Sequence, residues 1–469
     1  MPAHVIDSLF FRDLFGSPQM RAVFDDLNLL QKWLDYEAAL ARAEATVGVI
    51  PAEAAAEITR QARADHMDTD AIKRGVDTTV HPLVAVIWQL AERCAGEAGR
   101  YVHWGATTQD VMDTAIILQI KEAYPLFESG LADLIAALAD LARAHRDTPM
   151  AGRTHGQQAL PITFGFKVAV WIDELRRHQA RLADCKPRVL VGEFGGAVGT
   201  LAGVREHGHA IKRQLMIELG LGEPVIAWHS ARDSIAEFAT TLSLITATLG
   251  KIAHEIIDLQ KIEFGEVEEP FELGKVGSST MPQKRNPMLC EAILTLARLT
   301  RAHAATAVDA MFGEHERDWS SFQMEWAYLP ELCVLAHGAL GLTTRVISGL
   351  HVYPAAMLRN LHISGGLLLS ERVMFALGAH IGRQAAHDVV YAVAMRAHEQ
   401  GTPFADALKA DAEVSAHLDR AAVDALLDPK QYTGLAAEFV DRVLATLTDG
   451  STDGSTDGST DGSTDGLTY

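Results

Sequence analysis

The sequence predicts an all-α protein built around a bundle of long helices. Apolar residues recur at Ile235, Phe238, Leu242, Ile245, Leu249, Ile252, Ile256 and Leu259, in alternating steps of three and four. That spacing is a heptad seam on a helix roughly 40 Å long. Leu131, Leu134, Leu138 and Leu141 repeat it within a second stretch, from about Asp110 to His145. Nowhere do apolar and polar residues alternate for long enough to suggest a large sheet.

Taken in order, residues 1–109 read as an N-terminal helical domain. Residues 110–350 read as the central long-helix bundle. Pro125 should kink its first helix, because proline removes an amide donor and crowds the preceding turn. A further helix should begin at Asn286–Pro287, with asparagine as cap and proline at the first helical position. "SGLHVYPAAM" breaks the pattern near residue 350, and shorter helices follow over 351–447. The tail, 448–469, repeats "TDGS" with almost nothing apolar to bury and is expected to be disordered.

Composition narrows the function. The 469 residues carry a formal charge of −20 and are 48% hydrophobic. Sequence-independent nucleic-acid binding depends on cationic surface, so it is excluded as an expectation. Four scattered cysteines form no CxxC pair, which speaks against a zinc site or disulfide framework and fits a reducing compartment. The N-terminus lacks the pattern of a secretory signal, and "LCVLAHGALGL" is too short to span a bilayer. A soluble cytoplasmic protein without membrane or nucleic-acid partners is the expectation.

Three polar stretches interrupt the helices: "HWGATTQD" (103–110), "GRTHGQQALP" (152–161) and "GSSTMPQKRNP" (277–287). Each combines glycine with hydroxyls and with histidine, lysine or asparagine at an expected helix start. Free amides and the helix dipole favour anions there. Taken alone, "TTQD" reads as a helix cap and His155 as an ordinary hydrogen-bonded histidine. The acidic "EVEEPFE" reads as a solvated face. "GEFGGAVGTLAG" lacks the strand–turn–helix context of a nucleotide fingerprint and reads as a loop near helix ends.

"GSSTMPQKRNP" resembles the signature loop of the fumarase/aspartase superfamily, of the form GSSxMPxKxNP. "HWGATTQDVMDTA" and "GRTHGQQALP" resemble its other two shared regions, in the right order. The resemblance covers about residues 10–445. It implies a three-domain helical protomer, a homotetramer with each active site built from three subunits, and no metal or organic cofactor. The substrate would be a small di- or tricarboxylate.

By resemblance Ser278 is the base that removes a proton next to a carboxylate, and His155 protonates the leaving group. Lys284 and Asn286 would hold the carboxylate whose charge grows. Thr107, Thr108 and Thr154 would hold substrate carboxylates. His81 and His103 match active-site histidines of adenylosuccinate lyase. Arg317, in the Glu316–Arg317 pair, matches an arginine of that enzyme's phosphate site. The serine and arginine that should follow are replaced by Phe322 and Trp326, and an N-terminal Arg-Tyr pair by Leu14–Phe15. An aromatic ring cannot replace a bidentate arginine on phosphate.

"EHERDWSSFQMEW" and "DSLFFRDLFG" instead resemble 3-carboxy-cis,cis-muconate cycloisomerases, although bacterial members commonly carry tryptophan where this chain has His155. The leading expectation is a lyase that cleaves a C–N or C–O bond of a small succinyl compound, such as an N-substituted aspartate, and releases fumarate. The lactonising cycloisomerase is the alternative. Adenylosuccinate lyase proper and a non-catalytic structural descendant are the lesser readings; the altered phosphate site speaks against the first, and intact Ser278, His155, Lys284 and Asn286 against the second.

Overall fold

The computed structural model describes residues 4–271, 280–281 and 283–449. The elements that matter for the site are, in chain order, α1 (Asp26–Val47), α2 (Thr108–Ala144), β1 (Pro149–Thr154), β2 (Gln157–Thr163), α3 (Phe164–Val189), α4 (Asp233–Gln260), β3 (Val267–Glu268), α5 (Met288–Asp309), α6 (Trp319–Ser348) and β4 (His351–Val352). Shorter helices continue to Asp449. The chain packs as two compact units. One comprises Met1–Ala137 with Glu174–Val352; the other comprises Leu138–Asp173 with the residues from Tyr353 onward.

The first unit is a bundle of long helices, in which α4 packs on α5 and α6. All eight seam residues of α4 are buried, at no more than 2% exposure. Burying each such side chain contributes about 1.5–3 kcal/mol, so packing rather than propensity holds this helix. By length and composition α4 could cross a membrane, but 67% of its most apolar window is buried in protein. Gly250 allows close approach to α5, since a Cβ there would lie 3.2 Å from that of Ala297.

α2 runs through Pro125 to Ala144. Local chemistry departs from expectation at two places in this unit. First, Pro287 rather than Asn286 occupies the cap of α5 and makes no side-chain bond. The free amides of Leu289 and Cys290 instead donate to the carboxylate of Glu269, at 3.1–3.2 Å. A charge at a helix N-terminus does the work expected of the asparagine. Second, and for the same reason, residues 266–271 of "EVEEPFE" are not a solvated face: Glu266 and Glu269 are buried, and Val267 pairs with Val352 of β4.

In the second unit, β1 and β2 form an antiparallel hairpin, with a register irregularity between Ala151 and Arg153. Thr154 pairs with Gln157, leaving a two-residue turn of His155 (φ 52°) and Gly156 (φ 76°). Two positive φ values make this a type I′ turn, whose twist matches the strands. "GRTHGQQALP" is therefore a hairpin, not a helix start. Helices beyond the hairpin bury Val373, Leu377, Val390, Val393, Phe404, Leu408 and Val414 in a core of their own.

Candidate active site

The start of α2 is fastened by one wholly buried carboxylate, Asp110. Its Oδ2 accepts from the amides of Thr107 (2.9 Å) and Gly196 (3.0 Å). Its Oδ1 accepts from the amide of Gly195 (2.9 Å) and from His229 Nε2 (2.7 Å). Consecutive amides can both reach this carboxylate because Gly196 takes φ 69°. A Cβ there would also press to 3.2 Å from the Gly105 carbonyl. Burial pulls the His229 pKa down, but the hydrogen bond and charge of Asp110 outweigh it and leave the value raised. Glu193, buried beside them, is pushed up to about 7 by burial.

With Asp110 holding the backbone, Thr107 and Thr108 present their hydroxyls to a cluster of donors. Arg317 donates to Thr107 Oγ1 (2.9 Å) and to the Ala197 carbonyl (3.1 Å), while its buried Nε has no hydrogen-bond partner among the described residues. His81 Nε2 lies 3.1 Å from Thr108 Oγ1, and its ring packs on Trp319 at 5.2 Å. His103 Nδ1 lies 2.7 Å from Glu37 Oε1 on α1.

The two histidines are tuned in opposite directions. Burial, then the charges of Arg317 and His103, lower the pKa of His81. Burial also opposes the charge on His103, yet Glu37 and Asp110 outweigh it and raise that pKa. An imidazole pushed toward its neutral form, another favoured as the cation, a guanidinium and two hydroxyls are thereby gathered in one place. Such a set can hold a carboxylate and stabilise charge that grows on it.

Beside this cluster stands an aromatic wall. The rings of Trp319, Phe322 and Trp326 lie 5.3–5.9 Å apart. Arg232 lies 5.7 Å over Phe322 and 5.0 Å over Trp228, but it is buried and committed. It donates twice to Asp113 (both 2.9 Å) and also pairs with Glu325. Two carboxylates neutralise this one cation, so it has no charge to offer a phosphate.

His81, His103, Thr107, Thr108 and Arg317 are thus brought together. Lys284 is exposed, and its amide donates to the Met281 carbonyl (3.0 Å). Asn286 is half-buried just ahead of α5. Thr154 and His155 are exposed at the hairpin tip of the second unit. Ser278 lies outside the described residues. Sequence reasoning missed Glu37, Glu193, His229 and the Asp113–Arg232–Glu325 triad. A signal for part of it was present: Asp110, Asp113 and Thr114 form a polar stripe at steps of three and four in an otherwise apolar helix.

A helical bundle that presents anion-holding groups at a helix N-terminus, followed by the GSSxMPxKxNP sequence, defines a class. The chain belongs to the fumarase/aspartase superfamily and is an enzyme of that group. Residues 15–300 match the family model described as lyase, and residues 366–443 match the adenylosuccinate lyase C-terminus. Among individual relatives, it is 44% identical over 445 residues to N-acetyl-S-(2-succino)cysteine lyase of Enterococcus italicus, covering 95% of this chain and 98% of the relative. It is also 44% identical over 438 residues to 3-carboxy-cis,cis-muconate cycloisomerase of Pseudomonas aeruginosa, covering 93% and 95%. A crystal structure of fumarate lyase from Mesorhizobium sp. BNC1 superposes with a TM-score of 0.87 at 43% identity, covering 92% of this chain and 98% of that one.

Proposed function

We propose that the enzyme removes a heteroatom leaving group, foremost a thiol, from a small 2-substituted succinate and releases fumarate. The carrying observation is the donor cluster of His81, His103, Thr107, Thr108 and Arg317 beside an aromatic wall where Arg232 is already paired with two carboxylates. It suits carboxylates and is unsuited to a nucleotide phosphate. The similarity to a lyase named for N-acetyl-S-(2-succino)cysteine supports a thioether as the bond broken.

In this reading Ser278 takes the proton from the carbon next to one carboxylate. The electron pair enters that carboxylate, giving an aci-carboxylate dianion held by Lys284, Asn286 and the threonines, Thr154 among them. Collapse of the dianion forms the double bond of fumarate and expels the thiolate. His155 protonates leaving groups more basic than a thiolate. The chemistry calls for no metal or organic cofactor. The working assembly is a homotetramer whose sites draw residues from several copies.

The test is a substrate panel: S-(2-succino)cysteine and its N-acetyl form, N-substituted aspartates, adenylosuccinate and 3-carboxy-cis,cis-muconate. Fumarate and free thiol should appear in equal amounts from the thioethers, with adenylosuccinate poor. Loss of the carboxymuconate absorbance with no fumarate from any thioether would instead establish the lactonising reaction, the second reading, which the cycloisomerase relative supports. Ser278→Ala should abolish turnover, on the order of a thousandfold or more, while the far-UV circular dichroism stays unchanged. Retained activity in that variant removes the serine from the mechanism.

A further inference from the structure

We infer that Glu37 is a positioning residue: it holds His103 by Nδ1 and so presents the Nε2–H of a cationic ring to a substrate carboxylate. The inference rests on the reading of the site given above, and it adds a residue outside the three polar stretches.

Geometry carries it. Glu37 is 1% exposed and lies on α1, 66 residues from the histidine it meets at 2.7 Å. A carboxylate oxygen only accepts, so Nδ1 carries the hydrogen. Among the described residues, that bond is the one side-chain contact recorded for His103, and Nε2 lies on the other side of the ring. The backbone of His103 stands at φ 62°, a conformation that side-chain-bearing residues rarely adopt. Both the ring and the main chain are therefore fixed.

The surroundings make the pair ionic. Among the described residues Glu37 Oε2 is buried without a hydrogen-bond partner, and a buried carboxylate so placed depends on the cation it does have. Its neighbour along α1, Glu44, has neither oxygen bonded. Burial, reinforced by Glu37, pushes Glu44 up to about 9, so it is neutral near pH 7. His103 is left as the group that balances Glu37. From the other elements, Asp110 at the start of α2 favours the imidazolium as well, while the charges of Arg317 and His103 both act on His81. His81 is pushed toward neutrality and is occupied by Thr108. His103 is thus the histidine equipped to donate to an anion.

The sign of the pH effect follows. A site that needs the imidazolium works below the His103 pKa and fails as pH rises through it. Removing the charge of Glu37 lowers that pKa and moves the alkaline limb of kcat/KM to lower pH. The variant's loss of kcat/KM should therefore be greatest at alkaline pH and shrink as the pH falls.

The experiment uses the full-length protein labelled with nitrogen-15 histidine, with His103→Gln to assign the ring. In the wild type, His103 should titrate above His81 and keep hydrogen on Nδ1 in its neutral form. Glu37→Gln should lower the His103 pKa and displace the alkaline limb, leaving the circular dichroism unchanged. Glu37→Asp should fall between the two. His103 titrating at or below His81 in the unaltered protein overturns the inference, even if neither variant folds. So does a Glu37→Gln pH profile that superimposes on the wild type. The titration needs no substrate: the expected shifts in a protein that turns over none of the succinyl compounds would support the Glu37–His103 pair while removing the proposed reaction.

Discussion

At residue scale, His155 stands exposed at the tip of a two-residue turn. General-acid help matters only in proportion to how badly the leaving group needs a proton. His155→Ala should therefore lower turnover of N-substituted aspartates by about 10²–10⁴-fold and that of S-(2-succino) thioethers much less. Comparing kcat for the two classes in the same variant checks this, and equal losses would assign the histidine another role. Several site residues were legible in the sequence because hydroxyls, histidine and glycine rarely cluster in helical protein without purpose. Glu37 was not. In "YEAALARAE" it looks like the polar side of an amphipathic helix, and only folding reveals that it faces inward.

At element scale, the bundle is joined across its helices by a buried ionic triad. Asp113 on α2 and Glu325 on α6 share Arg232, which stands just ahead of α4. Burying charge costs more than it returns unless the partners stay complete. Arg232→Met should destabilise the fold by about 3–5 kcal/mol, because two carboxylates are left facing each other without water. Urea titration measures this; a change below about 1 kcal/mol would mean that solvent reaches the triad. The long helices were legible from their seams, since all eight positions on α4 are buried. The hairpin was not, because His-Gly is a weaker turn signal than Asn-Gly. Nor was the cap of α5, because Glu269 comes from a different part of the chain and no local pattern announces it.

At the scale of the whole molecule, the proposed catalytic set is divided between two separately packed units, with Thr154 and His155 in one and the donor cluster in the other. If active sites are shared between copies in a tetramer, two dead variants can rescue each other. Ser278→Ala and His155→Ala, dissociated and reassembled together, should regain a measurable part of wild-type activity on N-substituted aspartates, whereas each reassembled alone should not. Failure of the mixture to recover would confine each site to one chain. The fastening of Asp110 has a consequence for synthesis in the cell. Three of its four partners arrive late: Gly195 and Gly196 lie 85 and 86 residues downstream, and His229 lies 119. At about 5–20 residues per second, a ribosome needs roughly 6–24 s to deliver it. Throughout that interval the nascent chain carries a carboxylate destined for the interior without its histidine partner.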